Sequence, residues 1–189
     1  MLFLAIPIII NIQYILELWL GDVPAYSASL IVLGLIFCLI DCLHGPLWTS
    51  MQATGRIRNY QLVTSLVLLL NLPLCYIALW LGYSPNSIMI VQIFVSIITL
   101  LVRLIFSCRL AKLSFTKYSK HVILPIILVS LIAIPIPLYL GMHYDASLNK
   151  LLITGCTSVI SIGISVFLVG MSSTERDTII HALSKKIKK

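Results

Sequence analysis

Charged residues are scarce in this sequence. Of its 189 residues, 10% are charged and 60% are apolar, whereas a soluble domain has about 25% charged and about 45–50% apolar residues. This composition excludes a soluble globular protein. Six stretches of about 19 to 24 mostly apolar residues are present instead, and about 20 residues of helix cross a bilayer core about 30 Å thick. We therefore predict an all-α fold, a polytopic transmembrane helix bundle of six spans.

Recognisable catalytic and metal-binding motifs are also missing. The sequence has no HExxH, no GxSxG and no glycine-rich phosphate loop, which are the local signatures of metalloproteases, α/β-hydrolases and nucleotide-binding enzymes. Its five cysteines show no CxxC and no Cys/His cluster with metal spacing. We therefore expect no enzyme, no catalytic residue, no metal site and no cofactor.

The predicted spans are separated by short polar connections. They cover about 1–20, 25–48, 60–82, 87–108, 122–140 and 151–170, within a transmembrane bundle over 1–171. Residues 172–189 predict a basic amphipathic tail, in which Ser172 and Glu175 have capping-box spacing and isoleucines recur at helical intervals. The apolar amino terminus lacks the basic region and the cleavage motif of a signal peptide, so we expect the first span to remain.

Basic residues set the expected orientation. Of the 13 lysines and arginines, all except Lys150 lie in three groups that six alternating spans place on one side of the membrane. Cytoplasmic loops carry such an excess of positive charge. The net charge of +7 is thereby explained by topology rather than by nucleic-acid binding. We expect both termini in the cytoplasm.

Asp41 is the most unusual residue within a span, because a charge near the middle of the membrane costs about 2.5–3.5 kcal/mol on insertion scales. His44 follows one helical turn later, so the two side chains could share a proton or take part in ion-coupled transport. The alternative is structural: Gly45 and Pro46 break the helix, and freed carbonyls, water and His44 satisfy the carboxylate.

Two further spans carry polar residues in a pattern. Gln92, Ser96, Thr99 and Arg103 are separated by intervals of 4, 3 and 4, so they lie on one helical face. They either line a water-filled cavity or pack by hydrogen bonding, with Arg103 reaching the inner interface. Asn71 lies near mid-membrane beside Pro73, as in transporter substrate sites, although such residues also serve packing. The candidate binding or coupling residues are Asp41, His44, Asn71, Gln92 and Arg103.

The last two spans are expected to be structural. Pro135 and Pro137 predict an irregular outer end of the fifth span. Thr157, Ser161 and Ser165 form consecutive small-xxx-small steps in the sixth span, a pattern that favours close helix packing.

Three local patterns over residues 6–74 resemble a known family. They are Ile6-Pro7-Ile8-Ile9 leading to Ile15-Leu16-Glu17-Leu18-Trp19-Leu20-Gly21; Pro46-Leu47 followed by Gln52-Ala53-Thr54-Gly55-Arg56-Ile57-Arg58-Asn59-Tyr60-Gln61; and Asn71-Leu72-Pro73-Leu74. Together they resemble the carboxy-terminal half of the polysaccharide flippases in the multidrug/oligosaccharidyl-lipid/polysaccharide exporter superfamily.

The resemblance implies a function and a set of partners. Such transporters have two related bundles, so this chain would be the carboxy-terminal portion and would need an amino-terminal bundle. The implied activity is to flip an undecaprenyl-diphosphate-linked oligosaccharide across the lipid bilayer of the bacterial inner membrane for surface polysaccharide biosynthesis, such as that of lipopolysaccharide. Two alternatives stay open: a drug or cation exporter of the same superfamily, for which Asp41 is the local support, and a non-transporting membrane assembly subunit.

Overall fold

A computed structural model describes residues 1–55, 57–110, 114–144 and 147–171. These residues form helices joined by short turns, and no strand occurs among them. The prediction of an all-α fold is confirmed. The predicted amphipathic tail, 172–189, lies outside the described residues.

Eleven α-helices follow one another in the described ranges. They are α1 Leu2–Ile10, α2 Ile12–Leu20, α3 Ser27–Asp41, α4 His44–Ala53, α5 Arg58–Leu69, α6 Asn71–Trp80, α7 Asn86–Leu110, α8 Phe115–Tyr118, α9 Leu124–Ala133, α10 Pro135–His143 and α11 Leu148–Ser165. Wider π-helical turns, Ser119–Ile123 and Val166–Gly170, precede α9 and follow α11.

Five of the helical segments in the described ranges are long and apolar enough to cross a membrane. They are Ser27–Ala53, Arg58–Trp80, Asn86–Leu110, Ser119–His143 and Leu148–Gly170, and they overlap the second to sixth predicted spans. The first predicted span, 1–20, is instead divided at Asn11 into α1 and α2, which are bent by 76°. The side chain of Asn11 donates to the Pro7 carbonyl at 2.9 Å, and this local competition with backbone bonding is typical of asparagine. The described residues thus contain five helices able to span a membrane, or six if the bent pair crosses as one.

Prolines explain the breaks inside three spans. Proline lacks an N–H and its ring clashes with the carbonyl four residues earlier. In each span the helix ends at or next to the residue four positions before the proline. These residues are Cys42 before Pro46, Leu69 before Pro73 and Ala133 before Pro137. The irregularity predicted in the fifth span is therefore observed, between α9 and α10. The break attributed to Gly45 and Pro46 falls between Asp41 and His44, because the carbonyl that clashes precedes the proline.

Contacts divide the chain into two units. The first unit comprises Met1 and Ile12–Tyr118, and the second comprises Leu2–Asn11 and the residues from Ser119 onward. In the first unit α7 is the central helix and packs against α3, α4, α5 and α6. In the second unit α11 packs against α1, α9 and α10.

Small polar residues of α11 hold the second unit together. Ser158 donates to the Phe3 carbonyl at 3.0 Å and Ser161 donates to the Ala133 carbonyl at 3.1 Å. Asn11 donates to the Thr154 hydroxyl at 2.8 Å. These hydroxyls satisfy backbone and side-chain groups of neighbouring helices, which supports the packing interpretation of this span.

Candidate functional site

A polar cavity of about 140 Å³ lies inside the first unit and is lined by residues of α3, α4, α5, α6 and α7. All five candidate residues from the sequence line it: Asp41, His44, Asn71, Gln92 and Arg103. Ser96 and Thr99 contribute hydroxyls, and Phe37, Leu68 and Val95 contribute apolar surface. The structure therefore places polar residues from three different spans around one space.

Helix α7 supplies four polar lining side chains, those of Gln92, Ser96, Thr99 and Arg103. Ser96 and Thr99 are buried, whereas Gln92 and Arg103 are half-buried. The hydroxyl of Thr99 donates to the Val95 carbonyl of its own helix at 2.8 Å, so it presents only acceptor capacity to the cavity. The polar stripe of α7 therefore faces a cavity along its length.

The break between α3 and α4 positions two titratable side chains. His44 opens α4 and is buried, with its Nε2 atom 3.2 Å from the Ser96 hydroxyl. Asp41 closes α3, and its side chain is exposed. Among the described residues no hydrogen bond or ion pair involves the Asp41 carboxylate. The His44 imidazole is thus held by α7, and Asp41 lines the same cavity.

A second break brings Asn71 to the cavity. Helix α5 ends at Leu69 and α6 begins at Asn71, because Pro73 cannot donate to the Leu69 carbonyl. The Asn71 Oδ1 atom accepts a long contact from the Cys75 sulfur at 3.5 Å. Its amide N–H₂ forms no hydrogen bond with a described residue, so two donors are available to the cavity.

Arg103 is held by aromatic rings rather than by an acid. Its Cζ atom lies 5.4 Å from the ring centroid of Trp48 and 5.9 Å from that of Tyr60. Its Nε atom is buried and has no hydrogen-bond partner among the described residues. Both distances are within the range of cation–π attraction, about 6 Å. Because no ion pair with a described residue neutralises the guanidinium, its positive charge remains available to the cavity.

The aromatic support of Arg103 extends to a third ring and was missed at the sequence level. Tyr60 is 1% exposed, and its ring centroid lies 6.1 Å from that of Trp48 and 5.8 Å from that of Phe106 in an edge-to-face arrangement. Trp and Tyr near the ends of spans ordinarily indicate interfacial anchors. The only signal in the sequence is that Trp48 lies one turn beyond His44 on α4.

The cavity can bind a small polar or anionic group. It offers a guanidinium, an imidazole, two amides and two hydroxyls, with one carboxylate at Asp41. At about 140 Å³ it has room for a few water molecules or one such group. Polar side chains inside a membrane ordinarily face a water-filled cavity or bundle interior and mark substrate or ion pathways.

Fold and cavity together define a class: a multi-pass helical membrane protein with a polar cavity inside one helical unit. Comparison of the chain with protein-family models, curated proteins and solved structures found no match.

Proposed function

We propose that this chain forms part of a flippase for lipid-linked oligosaccharides in the bacterial inner membrane. The observation that carries the proposal is the cavity in which Arg103, which forms no ion pair with a described residue, shares one space with His44, Asn71 and Gln92. The resemblance of residues 6–74 to polysaccharide flippases points in the same direction.

The chemistry of the cavity suits the polar part of such a substrate. A guanidinium pairs with phosphate oxygens in a planar, bidentate geometry, and the substrate head contains a diphosphate. The amides of Asn71 and Gln92 provide donors and acceptors for sugar hydroxyls. An arginine desolvated among aromatic rings interacts more strongly with an anion than one exposed to water.

The size of the cavity implies a partner. A space of about 140 Å³ is too small for an oligosaccharide, so the substrate path would lie between this chain and an amino-terminal bundle. The two bundles would rock about that path in alternating access, as in other transporters built from repeats. Expressed by itself, the 189-residue chain is then expected to enter the membrane without restoring polysaccharide export.

A drug or cation exporter is the second candidate, and Asp41 favours it. Its carboxylate lines the cavity and has no ion-pair partner among the described residues. Against it, Arg103 already occupies the Trp48 and Tyr60 rings that would otherwise bind an organic cation. The third reading, an assembly subunit without transport, would require no polar cavity.

The proposed topology has a direct test. With both termini cytoplasmic, reporter fusions after Lys120 and Lys189 are expected to read cytoplasmic, and a fusion between His143 and Asn149 is expected to read periplasmic. A periplasmic carboxy terminus would contradict the orientation on which the direction of transport depends.

The transport proposal is tested by complementation of a bacterial strain that lacks its polysaccharide flippase. In the complete transporter, Arg103→Gln is expected to lower export about tenfold or more, since a hydrogen bond to a charged group contributes about 1.5–3 kcal/mol. Lys120→Gln removes a charge from an exposed residue outside the cavity and is expected to leave export unchanged. Surface polysaccharide and accumulated lipid-linked precursor are measured together with protein level.

The Asp41→Asn variant distinguishes the flippase proposal from the drug or cation exporter. The amide keeps the shape of the side chain but cannot carry its charge. Reduced export would assign ion coupling to Asp41, whereas unchanged polysaccharide export with lost dye efflux would favour the drug exporter. Full export by the Arg103→Gln variant at normal protein level would contradict the proposed role of the cavity.

A further inference from the structure

The first unit has a second and larger cavity, which lies beside the turn between α4 and α5. Its volume is about 630 Å³, and its lining includes Arg58, Asn59, Phe106, Arg109 and Leu110. It opens where Ser27–Ala53 ends, where Arg58–Trp80 begins and where Asn86–Leu110 ends. The ends of three apolar helices place this cavity at the depth of the lipid headgroups.

The lining combines two kinds of surface. Ile57, Phe106 and Leu110 are apolar, whereas Arg58 and Arg109 carry two positive charges whose side chains are exposed. The described acidic residues of this unit are Glu17, Asp22 and Asp41, and none of them lines the cavity. Neither Arg58 nor Arg109 forms an ion pair with a described residue. Two guanidinium groups that share one cavity without a counter-ion repel each other, and a bound anion would remove this repulsion.

The end of α4, which precedes Arg58 in the chain, has a defined conformation. Gly55 has a φ of +67°, the left-handed region in which glycine commonly ends a helix. The N–H of Thr54 donates to the Met51 carbonyl at 3.1 Å, and the N–H of Gly55 donates to the Gln52 carbonyl at 3.2 Å. These bonds close α4, and α5 begins three residues after Gly55, beside the end of α7.

We propose that this cavity is a binding site for the phosphate headgroup of an anionic phospholipid. Arg58 and Arg109 would bind the phosphate oxygens, while Ile57, Phe106 and Leu110 contact the glycerol and the first acyl carbons. Its volume lies within the range of small-molecule sites, about 300–1,000 Å³, so it accommodates a headgroup rather than a single ion. Basic pockets between membrane helices at the cytoplasmic side are known to bind such headgroups. The proposal does not depend on the transport function.

The first experiment measures lipid binding to the purified, delipidated protein by native mass spectrometry. Dioleoylphosphatidylglycerol is the probe, and dioleoylphosphatidylcholine is the neutral comparison. The wild type is expected to retain phosphatidylglycerol preferentially, and the double variant Arg58→Gln/Arg109→Gln is expected to bind it about tenfold or more weakly. Lys120→Gln, which removes an exposed charge elsewhere, is expected to bind as the wild type does.

A second measurement on the unaltered protein keeps the proposal testable if the double variant does not fold. A phosphatidylglycerol with a photoreactive group near the glycerol is expected to label residues 55–59 or 106–110. Labelling spread evenly over the lipid-facing helices, or equal affinity for the two lipids, would overturn the proposal. Inorganic phosphate is added as a competitor: displacement at concentrations equal to those of the lipid would indicate a free-anion site and would also overturn the lipid assignment.

Discussion

The attraction between Arg103 and Trp48 provides a quantitative test of how the polar cavity is built. The guanidinium carbon lies 5.4 Å from the indole centroid, and the Nε atom is buried. Cation–π attraction is about 0.5–1 kcal/mol at exposed sites and about 2 kcal/mol when desolvated. The burial of Nε and the additional contact with Tyr60 place Arg103 toward the upper value, so we expect a coupling free energy of about 1–2 kcal/mol.

A double-mutant cycle isolates this coupling. Trp48→Leu removes the π face while keeping an apolar side chain, and Arg103→Met removes the charge while keeping most of the aliphatic stem. The free energy of unfolding is measured for the wild type, both single variants and the double variant, from the loss of helical circular dichroism in mixed micelles of dodecyl maltoside and sodium dodecyl sulfate.

The matched control replaces a tryptophan that does not contact Arg103. Trp80, at the end of α6, is 77% exposed, so Trp80→Leu and Arg103→Met are expected to be additive within about 0.5 kcal/mol. A coupling between Trp48 and Arg103 that is no larger than this control value would refute the conclusion that aromatic rings hold the arginine in the cavity.

Two further predictions concern packing and access. Gly141→Ala is expected to destabilise the second unit by about 1–3 kcal/mol, as overpacking does, because a Cβ atom there would overlap the side chain of Ile10. The control in the same unfolding assay is Gly155→Ala, whose added Cβ atom would meet no other atom within 4 Å. In a background lacking the native cysteines, Gln92→Cys is expected to react with a membrane-impermeant maleimide, because it lines the polar cavity. Ile97→Cys, at a residue that is 42% exposed but outside the cavity lining, is expected to stay unreactive, and equal labelling of the two would contradict the water-accessible interpretation.

The predictions from the sequence agree best with the structure where they depend on a single helix. The polar stripe on α7 follows from helical periodicity alone, and it does face one space. The breaks in three spans follow from proline chemistry, since each helix ends near the carbonyl four residues before a proline. The bend at Asn11 was not foreseen, because a single asparagine in an apolar stretch does not by itself identify the groups with which it bonds.

The arrangement of the site could not be predicted in the same way. The spacing of Asp41 and His44 predicted that both lie on one face near a helix break, but it gave no indication that the His44 imidazole contacts Ser96 of another helix. Arg103 was expected to line a cavity or to reach the inner interface, and its contacts with Trp48 and Tyr60 were foreseen by neither reading. These outcomes depend on contacts between residues far apart in the chain.

The sequence by itself determined that this protein is helical, where its long apolar segments lie and which residues share a face of each helix. Local physics is sufficient for these properties, since hydrophobic length, 3.6-residue periodicity and proline geometry act within one segment. Only the tertiary structure decided that Asp41, His44, Asn71, Gln92 and Arg103 surround a single cavity. Which helical faces meet depends on the packing of side chains from several helices at once, and periodicity along one helix carries no information about its neighbours.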